Sequence, residues 1–356
     1  MISLLVLLVG LLATWLGSIL VLRLPGPLAR PAPDRWSRKS TPLTGGFALY
    51  TGFLVALASA VLAGEVDRRY GYLAMAGTAA FALGLGDDHR WIGPRTKFAG
   101  QIVIAVATAT VIRPAWLPLA AAIPVAALVL VASMNSFNLL DNIDGLAAGT
   151  AAVAAGSLAV ATLLAGGAAD RVLACAVAGA CAGFLPLNYR RTRPAALFMG
   201  DSGAHLIGML VGGSALISTL GGAGGVSASV VAPLLILALP ILDTSLVILV
   251  RLAERRPVWQ GGRDHISHRL VYAGLEQYEA VAVLLLLSAA CAGTAILVVA
   301  VDDPLATAAA AGAVLALLVA LGSRLALVSE TSRVAILRVH RREEQPEPIQ
   351  EHAHAS

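Results

Sequence analysis

Residues 115–149 read AWLPLAAAIPVAALVLVASMNSFNLLDNIDGLAAG, and this stretch decides the fold class. Its first part, 115–134, is apolar on every face, and about 20 such residues are what a helix needs to cross a bilayer core. The run then stops, and Asn135, Asn138, Asp141 and Asp144 follow within ten residues. Working outward, the same run-then-polar pattern recurs at 2–22, 46–64, 70–85, 98–112, 144–165, 171–188, 204–220, 230–250, 280–300 and 305–328. Composition agrees: 58% hydrophobic and 13% charged residues, with a mean hydropathy of +0.81, exclude a soluble domain. The expectation is an all-α polytopic integral membrane bundle of about eleven transmembrane helices, ten if a short third or fourth run does not cross. Residues 1–329 form one helical domain, and 330–356 form a polar cytoplasmic tail expected to be disordered. No Lys or Arg precedes the first run, so it reads as a retained span and not a cleaved leader.

Charge orients the bundle, because short loops rich in Lys and Arg stay on the cytoplasmic side. With the N-terminus outside and the C-terminus inside, 21 of the 25 cationic residues fall inside; Arg68, Arg69, Arg113 and Arg171 are the exceptions. The net charge of +4 therefore reflects topology and anionic membrane lipid. No aromatic and basic groove signature points to nucleic acid, so none is expected as a partner. Cys175, Cys181 and Cys291 lie in apolar runs without a CxxC spacing and read as small packing residues.

The polar chemistry collects on the inner side. It comprises Gly86-Asp87-Asp88 with Lys97 and Gln101, the 135–149 stretch, FMGDSG at 198–203, and DHISHRL at 264–270, with the weaker TPLTGG at 41–46. Asp87 and Asp88 end an apolar run where the helix dipole disfavours negative charge, so a cationic partner should offset them. Asp141 and Asp144 are three apart, and on a helix they would share a face with Asn138. Asp201 stands in a Gly-Asp-Ser-Gly turn. Carboxylates of this kind, completed by water and phosphate oxygens, suit Mg²⁺ with Mn²⁺ as a substitute. Lysine is scarce, and a compact, flexible ammonium at Lys97 suits a phosphate, where a planar guanidinium would do a different job. His265 and His268, also three apart, can face one ligand as neutral acceptors or as imidazolium donors. Zinc is the competing reading, but HxxH with Asp264 alone leaves the ligand set incomplete. His205 reads as a packing residue. Asp34, Asp67, Asp170, Asp302 and Asp303 read as solvated or helix-capping charges. Asp243 is the only acid well inside an apolar run.

These residues together resemble the polyprenyl-phosphate N-acetylhexosamine-1-phosphate transferases (glycosyltransferase family 4, MraY/WecA type). LGLGDDHRWIGPRTKFAGQ is similar to the family's DD-x(8)-K-x(3)-Q loop, NSFNLLDNIDGLAAG to its N-x(2)-N-x(2)-D-x(2)-DGLA element, FMGDSG to FMGD-x-G and DHISHRL to the histidine loop. The likeness runs in order over about residues 30–275. The chain departs from the pattern at Ser267, where a third histidine is usual, at Asn142, where the first Asp-Gly pair is Asp-Asn, and at Ser37, Ser40 and Leu43.

The resemblance implies one transmembrane catalytic domain in the plasma membrane, with its active site on the cytoplasmic face. It also implies transfer of a sugar-1-phosphate from a UDP-sugar to polyprenyl (undecaprenyl) phosphate, releasing UMP, in a cell-wall or surface-glycan pathway. On this basis Asp201 is the main Mg²⁺ ligand, with Asp88 and Asp144 in the metal set. Asp87 orients or deprotonates the attacking lipid phosphate, and Lys97 holds phosphate or metal. Asn138, Asp141 and Asp144 shape the nucleotide site, while His265, His268 and Arg269 contact the diphosphate. Ser267 would give a weaker phosphate contact than histidine. The wording of the histidine loop favours UDP-N-acetylglucosamine over the muramoyl-pentapeptide donor, and a homodimer is compatible with the pattern. A secondary transporter is the rival from another class, but its ionisable groups belong at the bilayer midplane.

Overall fold

The computed structural model describes residues 1–23, 28–29, 40–65, 67–114, 117–220, 226–259 and 261–328. The basic segment Arg30–Lys39, Asp34 within it, most of the 221–229 loop and the 330–356 tail lie outside the described residues.

Every expected apolar run is helical. In chain order the helices are α1 Ile2–Val21, α2 Gly45–Leu62, α3 Arg68–Asp88, α4 Pro94–Ala109, α5 Leu119–Leu140, α6 Leu146–Leu164, α7 Ala168–Asn188, α8 Gly200–Leu220, α9 Val226–Ile236, α10 Ala238–Ala253, α11 Ile266–Tyr272, α12 Gln277–Val301 and α13 Pro304–Ala326. Two-residue strands β1 Leu28–Ala29 and β2 Thr41–Pro42 pair antiparallel. Among the described residues, seven helices are long and apolar enough to cross a membrane by themselves, namely α1, α2, α5, α6, α7, α12 and α13. The protein is a multi-pass membrane protein.

The expected ninth span is broken. α9 and α10 meet at an angle of 69° and qualify as a span only as a pair. Pro240 carries no amide hydrogen to donate to the carbonyl of Ile236, so the ladder fails there. α5 departs in the other sense, since its helix continues six residues beyond the apolar run, to Leu140. The reading of Asp141 and Asp144 as neighbours on one helical face is corrected here: 141–145 is a turn between α5 and α6. Gly145, at φ +85°, is the left-handed N-cap of α6, with its amide hydrogen donated to Asn188 Oδ1 at 2.8 Å.

α8 is the hub, packed by α2, α3, α5, α6, α7 and α9. Small residues allow the contact, because bilayer helices associate through close backbone approach. A Cβ added at Gly84 of α3 would stand 2.3 Å from the Asp201 carbonyl oxygen, so only glycine lets the end of α3 reach the start of α8. β2 runs beside the same place: Phe198 donates its amide to the Pro42 carbonyl at 2.8 Å, and Gly45 donates to the Phe198 carbonyl at 2.9 Å.

Candidate active site

One end of the bundle holds a cavity of about 1010 Å³. Leu43 from the segment after β2, Asp87 and Asp88 from α3, Asn138, Leu139 and Asp141 through Asp144, Asn188 through Pro194, Phe198, Gly200 and Asp201, Gly261, Gly262, His265, His268, and Glu276 through Tyr278 line it. All five polar stretches of the sequence thus meet in one place. Of the expected site residues, Asp87, Asp88, Asn138, Asp141, Asp144, Asp201, His265 and His268 line this cavity; Lys97 and Arg269 do not.

Lys97 lies beside the cavity and ties two of its walls together. Its Nζ donates to Asp87 Oδ2 at 2.8 Å and to Asp201 Oδ2 at 2.7 Å. This is the cation that Asp87 was expected to require. Asp87 and Asp88 stand past the apolar part of α3, and Asp201 stands ahead of the apolar part of α8. Burial and the neighbouring Asp201 carboxyl push Asp87 up to about 6, with Lys97 opposing. Burial also acts on Asp201, but the hydrogen bond with Asp87 and the Lys97 charge outweigh it and hold Asp201 well below the usual carboxylate range. Burial alone would lower Lys97, and its two carboxylate partners keep it charged.

Asp88 has an occupation that was not expected. Its Oδ1 accepts from the Asp201 amide at 2.7 Å and its Oδ2 from the Ser202 amide at 3.1 Å. The carboxylate caps the N-terminus of α8, where the dipole favours negative charge. Gly200 at φ +68° makes room, since a Cβ there would lie 2.7 Å from both Asp88 oxygens. Asp88 therefore also fixes the first turn of α8 and, with it, Asp201. Burial nonetheless holds it up at about 6.

Behind Asp201 runs a buried chain of amides. Asn135 Nδ2 donates to Gln101 Oε1 at 2.9 Å, Gln101 Nε2 meets His205 Nε2 at 2.6 Å, and His205 Nδ1 meets the Asp201 carbonyl at 2.6 Å. The chain closes with His205 accepting at Nε2 and donating from Nδ1, the neutral tautomer. His205 is a packing residue as read, and it also anchors the first turn of α8.

The opposite wall is the histidine loop. His265 and His268 are nearly fully buried, with ring centroids 5.5 Å apart in an edge-to-face arrangement. His265 Nδ1 pairs with Asp243 Oδ2 at 2.8 Å, and Asp243 Oδ1 accepts from the Ile266 amide at 2.8 Å. Asp243 thus both orients His265 and caps α11. Its place as the single acid inside an apolar run was the available signal, and sequence reasoning did not assign it to the site. Burial, reinforced by His265, pushes His268 down to about 3, which leaves a neutral imidazole and not an imidazolium donor. Among the described residues no three His, Cys, Asp or Glu side chains converge as a metal cage.

Arg269 is also corrected. Its Nε donates to the Asp264 carbonyl at 2.7 Å, and its Nη1 donates to the carbonyls of Leu325, Ala326 and Val328 at 2.7–3.0 Å. A guanidinium that satisfies the C-terminal carbonyls of α13 has no reach to a diphosphate. Ser267 is likewise fully buried and does not line the cavity; its hydroxyl donates to Asn142 Oδ1. The weaker phosphate contact expected of it is absent. Asp264 accepts from Arg251 at 2.9 Å and from Arg256 at 3.1 Å, which clamps the approach to the loop. Asp144 Oδ2 accepts from the Ala195 amide at 3.0 Å, and burial raises this carboxyl. Asp67 and Asp303 cap helices as read, whereas Asp170 is buried and paired with Arg69 at 2.8 Å.

A polytopic bundle with carboxylates, amides and imidazoles around a large cavity at one end is the architecture of a membrane-embedded enzyme. Residues 70–219 match the family model described as Glycosyl transferase family 4. The chain is 31% identical over 300 residues to a decaprenyl-phosphate N-acetylglucosaminephosphotransferase of Mycolicibacterium smegmatis, covering 73% of this chain and 72% of that one. It is 30% identical to the enzyme of the same name from Mycobacterium tuberculosis, covering 70% of each. It is also 33% identical over 235 residues to a phospho-N-acetylmuramoyl-pentapeptide-transferase of Nostoc punctiforme, covering 59% of this chain and 63% of that one. The chain belongs to glycosyl transferase family 4.

Proposed function

We propose that this chain transfers N-acetylglucosamine-1-phosphate from UDP-N-acetylglucosamine to a polyprenyl phosphate. An oxygen of the lipid phosphate attacks the sugar-bearing phosphorus, the bond to the bridging oxygen breaks, and UMP leaves with that oxygen; the product is a polyprenyl-diphosphate sugar. The observation that carries the reading is the Asp87–Lys97–Asp201 bridge at the wall of a cavity large enough for two substrates. The relatives named for this activity at 30–31% identity support it. Phosphoryl transfer is mainly positioning and charge neutralisation, and this wall supplies both.

Asp87, ionised above about pH 6, receives or orients the attacking lipid phosphate. Lys97 keeps Asp87 and Asp201 together. Asn138, Asp141 and Asp144 face the nucleotide, and His265 and neutral His268 meet the diphosphate as hydrogen-bonding groups. Mg²⁺, or Mn²⁺ in its place, suits the donor set, since it takes one or two carboxylates with substrate phosphates and water. Asp201 would hold it with help from Asp87 or Asp144, and when bound it neutralises diphosphate charge. Asp201→Asn should abolish metal-dependent transfer while the protein still inserts and purifies; near wild-type turnover would remove Asp201 from this role.

The eleven-span topology, with the N-terminus outside, the C-terminus inside and the site at the cytoplasmic face of the plasma membrane, belongs to the same proposal. Its support is that the cavity lies at the end where most of the cationic residues fall. Reporter fusions with both termini cytoplasmic would overturn it.

A further inference from the structure

The two walls of the cavity are fastened at one residue. Asn142 sits between Asp141 and Asp144 in the 141–145 turn, and its Nδ2 donates to the Leu139 carbonyl at 2.8 Å. That bond fixes the amide so that Oδ1 points away from α5. Ser267, fully buried in the first turn of α11, donates to that oxygen. α11 is otherwise held from behind, by Asp243 at its start and by Arg269 on the end of α13. The link at Asn142 joins it directly to the acidic turn. The turn itself is held on its far side by the bonds from Gly145 to Asn188 and from Ala195 to Asp144.

We infer that Asn142 and Ser267 are positioning residues, a latch that sets the spacing between the Asp141/Asp144 turn and the His265/His268 pair and thereby the fit of the sugar nucleotide. This rests on the proposed function for its kinetic consequence, though the latch itself is a property of the fold. A buried hydroxyl donating to an otherwise fixed amide oxygen is a directional tie; losing Asn142 leaves the Ser267 hydroxyl buried and unmatched, and losing Ser267 frees the half-buried Asn142 amide at the cavity wall. The donor bridges the two walls. The lipid phosphate is received by Asp87 on a third wall. A loosened latch therefore acts on one substrate and spares the other.

The test is a double-mutant cycle with Ser267→Ala, Asn142→Ala and the double variant, plus the conservative Ser267→Thr. Transfer kinetics are measured for the UDP-sugar and the lipid separately, alongside hydrogen–deuterium exchange of the peptides covering 141–145 and 265–270. Each alanine variant should raise the donor KM about tenfold with the lipid KM unchanged, and the double variant should be no worse than the poorer single one. Ser267→Thr should return to within about threefold of wild type. In both single variants exchange should quicken in both peptides, including the one that carries no substitution. Multiplicative effects in the double variant, or equal loss toward both substrates, would overturn the latch. So would quickened exchange confined to the mutated peptide. If the wild-type chain transfers from none of the UDP-sugars, the functional reading has failed by itself, and the exchange result alone decides the latch.

Discussion

Removing the Lys97 ammonium should disable transfer in a graded and measurable way. Lys97 makes two short charge-assisted hydrogen bonds, to Asp87 and to Asp201, with about a fifth of its side chain exposed. Bonds of this kind contribute roughly 1.5–3 kcal/mol each, so Lys97→Met forfeits about 3–6 kcal/mol of organisation at the reacting wall. At about 1.4 kcal/mol per tenfold in rate, kcat should fall by about 10²–10⁴. A second consequence has a defined sign. Lys97 opposes the burial and the Asp201 carboxyl that push Asp87 up to about 6, so without it the acid limb of the pH–rate profile moves to higher pH. Lys97→Arg keeps the charge but replaces a point donor by a planar fork, and about a tenfold loss is expected. The assay is initial-rate transfer of labelled sugar-1-phosphate into lipid, from pH 5 to 9, at saturating Mg²⁺. A Lys97→Met enzyme within about threefold of wild type, with an unmoved acid limb, would refute the bridge as an organising element.

Wild-type kcat/KM should rise with pH through about 6 and then level off, because Asp87 loses its proton there and acts ionised; a profile flat from pH 5 to 8 would contradict this assignment. Gly84→Ala places a Cβ 2.3 Å from the Asp201 carbonyl oxygen, so α3 must withdraw from α8. A loss of about 1–3 kcal/mol in stability is expected, with at least tenfold lower activity, read by thermal unfolding in detergent and by the same assay. Asp243→Ala frees His265 Nδ1 and the Ile266 amide, and should raise the donor KM more than the lipid KM; equal effects on both would argue for general destabilisation. Ser267→His should impair activity, since the hydroxyl is fully buried and an imidazole overfills its place.

The helices were legible because apolar runs of bilayer length have one stable form in lipid. Their breaks were less so. Pro240 sits in a run as apolar as its neighbours, and only its missing amide hydrogen marks the 69° bend. The ends of the site helices were misjudged in both directions, since α5 runs on through polar Asn135 and Asn138 but ends at Leu140, and α6 begins only after Gly145, which leaves Asp141 and Asp144 in the turn between them. Residue type and order picked out the groups that meet in the cavity, but not how each is occupied. Nothing in Asp87-Asp88 distinguishes the carboxylate on Lys97 from the one on the α8 amides. Nor does DHISHRL show that Arg269 turns back onto α13 while His268 turns inward. Those assignments depend on long-range packing: Gly84 against Asp201, and α11 wedged between α12 and α13.

The most direct measurement is a donor panel. The purified chain in detergent is given Mg²⁺, undecaprenyl phosphate and, separately, labelled UDP-N-acetylglucosamine, other UDP-hexosamines and UDP-N-acetylmuramoyl-pentapeptide. The expected result is a lipid-linked product with stoichiometric UMP from UDP-N-acetylglucosamine or a close amino-sugar relative, abolished by chelation and by Asp201→Asn. Product from the pentapeptide donor alone would overturn the donor assignment, and absence of UMP release with every donor would contradict the proposed reaction itself.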